Sequence, residues 1–227
     1  MTNFDQRYQQ VQTQYNAAQI TIMQQAPSFS DKQRKHNRDS MLDRVQSIWI
    51  DGVLEPSLQG AAQIMLTLAS RPDAVSTPFQ QVLQEFDRAR PLLPAGTHIG
   101  QIYDHANGEV LILGEPGAGK TTLLLELTRD LLQRARQDET YPIPIVFSLS
   151  SWAATHLPLT EWLVLELTGK YQISRDLARY LVQTDQVLPL LDGLDEVSTD
   201  SRETCVTAIN SYRQGHGSVP TIVTSRL

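Results

Sequence analysis

Cysteine is almost missing from this sequence. Cys205 stands alone, which excludes an internal disulfide and suits a reducing compartment. Long apolar runs are missing too: none approaches the roughly 18–20 residues that span a bilayer. The opening Met1-Thr2-Asn3-Phe4-Asp5 lacks the basic and then apolar order of a secretory leader. These absences together point to the cytoplasm. Positive charge is in deficit, with 19 Lys and Arg against 25 Asp and Glu and a net charge of -6. That balance argues against sequence-independent binding of nucleic acid. Metal-ligand spacing is also absent among His98, His105, His156 and His216.

What remains is ordinary for a globular protein: 41% hydrophobic and 19% charged residues in a chain of 227, enough for one α/β domain and a smaller N-terminal piece. Residues 1–29 read as a flexible leader, since the first 25 residues hold eight glutamines and few large apolar groups. Within it Gln19-Ile20-Thr21-Ile22 alternates like a short strand.

Residues 30–76 read as a helical N-terminal region. Ser30 is placed as an N-cap with Gln33 completing a capping box, and Met41, Leu42, Val45, Ile48 and Trp49 recur on one face. Gly52 and Pro56 predict the end of that helix, and 58–69 a second one. The basic cluster Lys32, Arg34, Lys35, His36 and Arg38 is broken by Asp31 and Asp39, and reads as a solvated helix face. Residues 77–107 read as a linker packing on the next domain, with prolines at 78, 91 and 94 and a short helix at 79–86.

After the turn signal Asn107-Gly108, strands and helices alternate through 108–227. Strands are expected at 109–113, 144–149, 187–191 and 220–224, and helices at 120–135, 158–168, 174–183 and 201–213. The pattern predicts an α/β fold with a parallel sheet, helices on both faces, and strands 109–113 and 187–191 side by side. Apolar strands throughout fit burial from two sides. Cys205, Trp152 and Trp162 are read as packing residues.

Chemistry concentrates at Gly114-Glu115-Pro116-Gly117-Ala118-Gly119-Lys120-Thr121, a complete G-x-x-x-x-G-K-S/T motif followed by Thr122. It follows an apolar strand and opens a leucine-rich helix. Glycines allow a tight loop whose N–H groups converge on an anion, and the helix N-terminus adds positive potential. Lys120 is expected on the β- and γ-phosphates and the Thr121 hydroxyl on Mg²⁺. A second apolar strand ends in Asp192, whose carboxylate is the other expected Mg²⁺ ligand. Asp195 and Glu196 are the candidates for polarising an attacking water, and spacing does not choose between them. Thr221-Ile222-Val223-Thr224-Ser225-Arg226 ends a strand in a guanidinium, so Arg226 can read a tri- from a diphosphate. Neither the Asn-Lys-x-Asp guanine motif nor the Leu-Ser-Gly-Gly-Gln signature occurs, which disfavours a GTPase and an ABC-type ATPase.

GEPGAGKTT at 114–122, LLDGLDEV at 190–197 and TIVTSR at 221–226, in that order, resemble the NACHT family of STAND P-loop ATPases. The stretch 142–152, with FSLSSW at 147–152, is also similar to NACHT proteins, and 41–58 resembles the region preceding the NACHT domain in bacterial, especially cyanobacterial, members. The resemblance implies ATP/ADP and Mg²⁺ as ligands and a signalling switch with slow hydrolysis, linked in bacteria to defence. It also implies further C-terminal domains and an additional strand beside 109–113. The expectation is therefore an incomplete NACHT domain that self-associates or uses a partner for those parts. A rapid-turnover ATPase or kinase, or a nucleotide-stabilised scaffold, are the competing expectations.

Overall fold

A computed structural model describes residues 29–60, 97–217 and 219–226. The strand expected at 19–22, most of the helix at 58–69 and the helix at 79–86 fall outside them.

Helix α1 (Asp31–Val45) begins as its sequence dictates. Ser30 Oγ accepts from Gln33 N–H, and Gln33 returns its Oε1 to the Ser30 N–H at 3.0 Å. Met41, Leu42 and Val45 are buried. Gly52 and Pro56 do not end this helix, contrary to expectation. The chain passes from α1 into a π-helical segment, Gln46–Leu54, and on into α2 (Glu55–Gly60). The Glu55 N–H reaches back to the Ile50 carbonyl, and this wider turn gives the ring of Pro56 room that an α-turn would deny it.

One member of the basic cluster is not solvated either. Arg38 is buried, and its Nη2 donates to the carbonyls of Ala135, Asp138 and Tyr141 at 2.7, 3.1 and 2.7 Å. Burial pulls its pKa down from the ordinary arginine value. Its neighbours behave as expected: Arg34 pairs with Asp31 and Lys35 with Glu139 at the surface.

Helix α3 (Ile99–His105) occupies the end of the expected linker. Its Asp104 pairs with Arg134 and its Tyr103 is buried. Then β1 (Glu109–Leu113), α4 (Lys120–Gln137), β2 (Ile143–Ser148), α5 (Leu149–Thr155), α6 (Leu159–Gly169), α7 (Arg175–Gln183), β3 (Val187–Asp192), α8 (Thr199–Gly215) and β4 (Thr221–Ser225) follow. Leu123, Leu124, Leu127, Leu131 and Leu132 bury one stripe of α4.

All strands are parallel, in the order β1-β4-β3-β2. The chain crosses from β1 to the far side of the sheet at β2 and then returns through β3 to β4. Right-handed crossovers therefore place α4 on one face and α5–α8 on the other, which is the expected α/β architecture. β1 and β3 are not neighbours, however; β4 lies between them. In β1 only Ile112 is fully buried, so that strand is half-exposed rather than covered on both sides.

The β2 side is sealed differently. Trp49 Nε1 donates to the Tyr171 hydroxyl at 2.8 Å, and that hydroxyl donates to the Val146 carbonyl at 2.6 Å. Lys170 places its ammonium 3.9 Å from the centre of the Trp49 ring, and burial lowers its pKa. Among the described residues no helix is long and apolar enough to cross a membrane.

Candidate nucleotide-binding site

The loop between β1 and α4 is shaped by its glycines. Gly119 takes φ +80° immediately before the helix, a conformation most side chains resist, and its carbonyl accepts the first helical bond from Leu123 N–H at 2.9 Å. The loop base is tied to the neighbouring strand, since Gly114 N–H donates to the Ser225 carbonyl at 3.3 Å. Glu115, Pro116, Gly117 and Ala118 are exposed, and Gly119, Lys120 and Thr122 partly so. Helix α4 thus presents the unpaired N–H groups of its first turn at the mouth of this loop. Lys120 Nζ lies across the loop, donating to the carbonyls of Gly114 at 3.0 Å and Glu115 at 3.2 Å.

The first turn of α4 reaches the end of β3 across the strand that separates β1 from it. Thr121 Oγ1 donates to Asp192 Oδ2 at 3.0 Å. The other oxygen, Asp192 Oδ1, accepts from Thr224 Oγ1 at 2.6 Å. A hydroxyl and a carboxylate oxygen side by side are hard donors of the kind Mg²⁺ takes when phosphate and water complete its octahedron. This donor pair fits Mg²⁺, and the exposed glycine loop beside it, with the Lys120 ammonium across it, fits a polyphosphate.

Asp195 and Glu196, indistinguishable by spacing, are separated by the fold. Both lie in a short 3₁₀ turn, Leu194–Glu196, entered through Gly193 at φ +82°. The Asp195 carboxylate is 9% exposed and pairs with Arg226 Nε at 2.6 Å. Glu196 is exposed, and its side chain folds against Gly193 so closely that a Cβ there would come within 2.9 Å of Glu196 Cδ. The three acids do not converge on one point. Asp192 serves Thr121 and Thr224, Asp195 serves Arg226, and among the described residues no cluster of three or more His, Cys, Asp or Glu could hold a metal.

Two residues of this region were not singled out from sequence. Thr224 is fully buried and bonds Asp192. Arg202 of α8 braces the 3₁₀ turn through the carbonyls of Asp195 and Val197, both at 3.2 Å. The signal for Thr224 was a polar residue at the end of an apolar strand; nothing local marked Arg202. Cys205 fits its expected packing role: it is buried in α8, and desolvation pushes its thiol pKa up to about 11.

A parallel doubly wound sheet, a glycine-shaped loop ahead of a helix, and a pair between Thr121 in that helix's first turn and Asp192 at a strand end define a P-loop nucleotide-binding domain. The NACHT domain family matches residues 109–225, more than half of the chain, and the protein belongs to that family. No curated protein matches it. Among solved structures, that of C. elegans PCH-2 shares 18% identity over 56% of this chain and 32% of its own, with a TM-score of 0.35. This chain thus spans about a third of that protein's length, and the likeness is too remote to bear on activity.

Proposed function

We propose that this NACHT domain is an ATP-dependent signalling switch that exchanges ATP and ADP with Mg²⁺ and hydrolyses ATP slowly. The observation that carries the reading is the 3.0 Å contact between Thr121 and Asp192 beside the opened N-terminus of α4. In this reading the loop from Gly114 to Thr122 cradles the phosphates, Lys120 leaves its loop carbonyls for the β- and γ-oxygens, and Thr121 and Asp192 ligate Mg²⁺. Arg226 reads the terminal phosphate, and Asp195 or Glu196 orients water.

Slow hydrolysis is supported by the Arg226–Asp195 pair. In this reading Arg226 is needed at the terminal phosphate, so the pair must open before it can act. A wider role in bacterial defence or stress signalling, and assembly with copies or partners, rest on the resemblance of the three motifs alone.

The test is thermal unfolding with Mg-ATP and Mg-ADP, comparing wild type with Lys120→Ala. A ligand at 100 times its dissociation constant adds about 2.7 kcal/mol, which raises the midpoint of a domain of this size by about 5–10 °C. A shift present in wild type and lost in the variant supports the cradle; equal shifts in both refute it. Steady turnover above about 1 per second, within the ordinary enzyme range, would refute the switch.

A further inference from the structure

We propose that Thr224 is the positioning residue that aims the Asp192 carboxylate at Mg²⁺, an inference that rests on the nucleotide-switch reading above. A threonine hydroxyl has one proton to give. Gly193 N–H donates to Thr224 Oγ1 at 2.8 Å, which occupies a lone pair and leaves the hydroxyl proton for its other neighbour, Asp192 Oδ1, at 2.6 Å. The direction of the relay is therefore set: backbone N–H to hydroxyl, hydroxyl to carboxylate. Holding Oδ1 in this way fixes the carboxylate plane and turns Oδ2 toward Thr121, where the metal would sit.

Three features make the device specific. Thr224 is fully buried, so water does not stand in for the hydroxyl. Gly193 carries φ +82°, the conformation that accompanies its N–H bond to β4. β3 and β4 are directly paired through Leu190–Ile222 and Leu191–Val223, so the next residues, Asp192 and Thr224, meet at the sheet edge without a flexible connection. An outer-shell donor of this kind acts on metal affinity rather than on the backbone N–H groups of the neighbouring phosphate loop, none of which Thr224 bonds.

The experiment titrates Mg²⁺ into the protein bound to a fluorescent N-methylanthraniloyl ADP, and measures binding of the same nucleotide in EDTA. Thr224→Val keeps the shape and loses the donor. Its Mg²⁺ midpoint is expected to rise by about tenfold to a hundredfold, the usual effect of removing an outer-shell partner, with affinity in EDTA within about twofold of wild type. Thr224→Ser keeps the donor and is expected to retain the wild-type midpoint. An unchanged midpoint in Thr224→Val, or equal losses with and without Mg²⁺, overturns the proposal. If Thr224→Val does not fold, a Thr224→Ser protein that folds but has lost its Mg²⁺ response overturns it as well. Failure of the underlying reading looks different: wild type then binds no nucleotide, or Lys120→Ala binds it equally well.

Discussion

At the scale of single residues, the most informative side chains are those whose polar atoms are committed inside the fold. Arg38 donates to three carbonyls in and just beyond the last turn of α4, and removing it strands them. Arg38→Met should cost about 2–3 kcal/mol in urea unfolding, since buried groups left unpaired cost about 1–3 kcal/mol. Lys35→Ala, which breaks an exposed pair with Glu139, should cost under about 1 kcal/mol. Equal losses in the two variants would show that Arg38 is not a cap. Arg226→Ala leaves the enclosed Asp195 carboxylate without its guanidinium. A lower unfolding midpoint without nucleotide is expected, together with a smaller difference between the ATP and ADP shifts. The strand–loop–helix junction at Gly114–Thr122 and the place of Asp192 at the end of β3 were legible from sequence because glycine spacing and a strand-ending acid are local signals. Arg38 was not: a surface lysine and a buried cap look alike until α4 is laid beside α1.

At the scale of elements, the four described strands fall within a residue of their expected ends, because apolar runs bounded by turn residues are short-range information. Their order was not legible in the same way. Parallel pairing follows from alternation with helices, but the placing of β4 between β1 and β3 depends on contacts far apart in sequence. Helix α3 escaped notice because it is seven residues long and begins at His98, a poor signal beside the prolines upstream. The helix running through Gly52 and Pro56 escaped because propensity rules assume α-turns, and a π-turn relaxes the proline clash. This N-terminal helix is pinned to β2 by the Trp49–Tyr171–Val146 relay. Tyr171→Phe should therefore cost about 1–3 kcal/mol, as for two lost hydrogen bonds. It should also speed amide exchange in Asp31–Gly60 more than in β3; uniform acceleration would mean that the relay only adds global stability.

At the scale of the whole molecule, buried ionisable groups set the alkaline limit. Desolvation raises the pKa of Cys205 to about 11 from 9.0, and raises those of buried Tyr103, Tyr171 and Tyr212 as well. Groups whose pKa is higher in the folded state favour folding below their unfolded pKa, and that contribution fades as pH climbs to the folded value. Stability should thus fall between about pH 9 and 11, by about 2–3 kcal/mol for Cys205 alone at 1.36 kcal/mol per pKa unit. Urea midpoints followed by tryptophan fluorescence at pH 8, 9.5 and 11 read this directly. A Cys205→Ala protein should lose less over that span than wild type, and an identical slope would assign the fall to the tyrosines.

Helix α4 also has a mechanical meaning for the molecule. Its 18 residues make a rod about 27 Å long at 1.5 Å per residue. Lys120 stands at one tip beside the phosphate cradle, and Arg38 grips the chain at the other. In the proposed reading the N-terminal helix and a bound nucleotide would hold opposite ends of one strut. A force that tilts the strut by prying at α1 would then reach the loop, and by thermodynamic reciprocity a nucleotide that seated the strut would tighten the grip of α1.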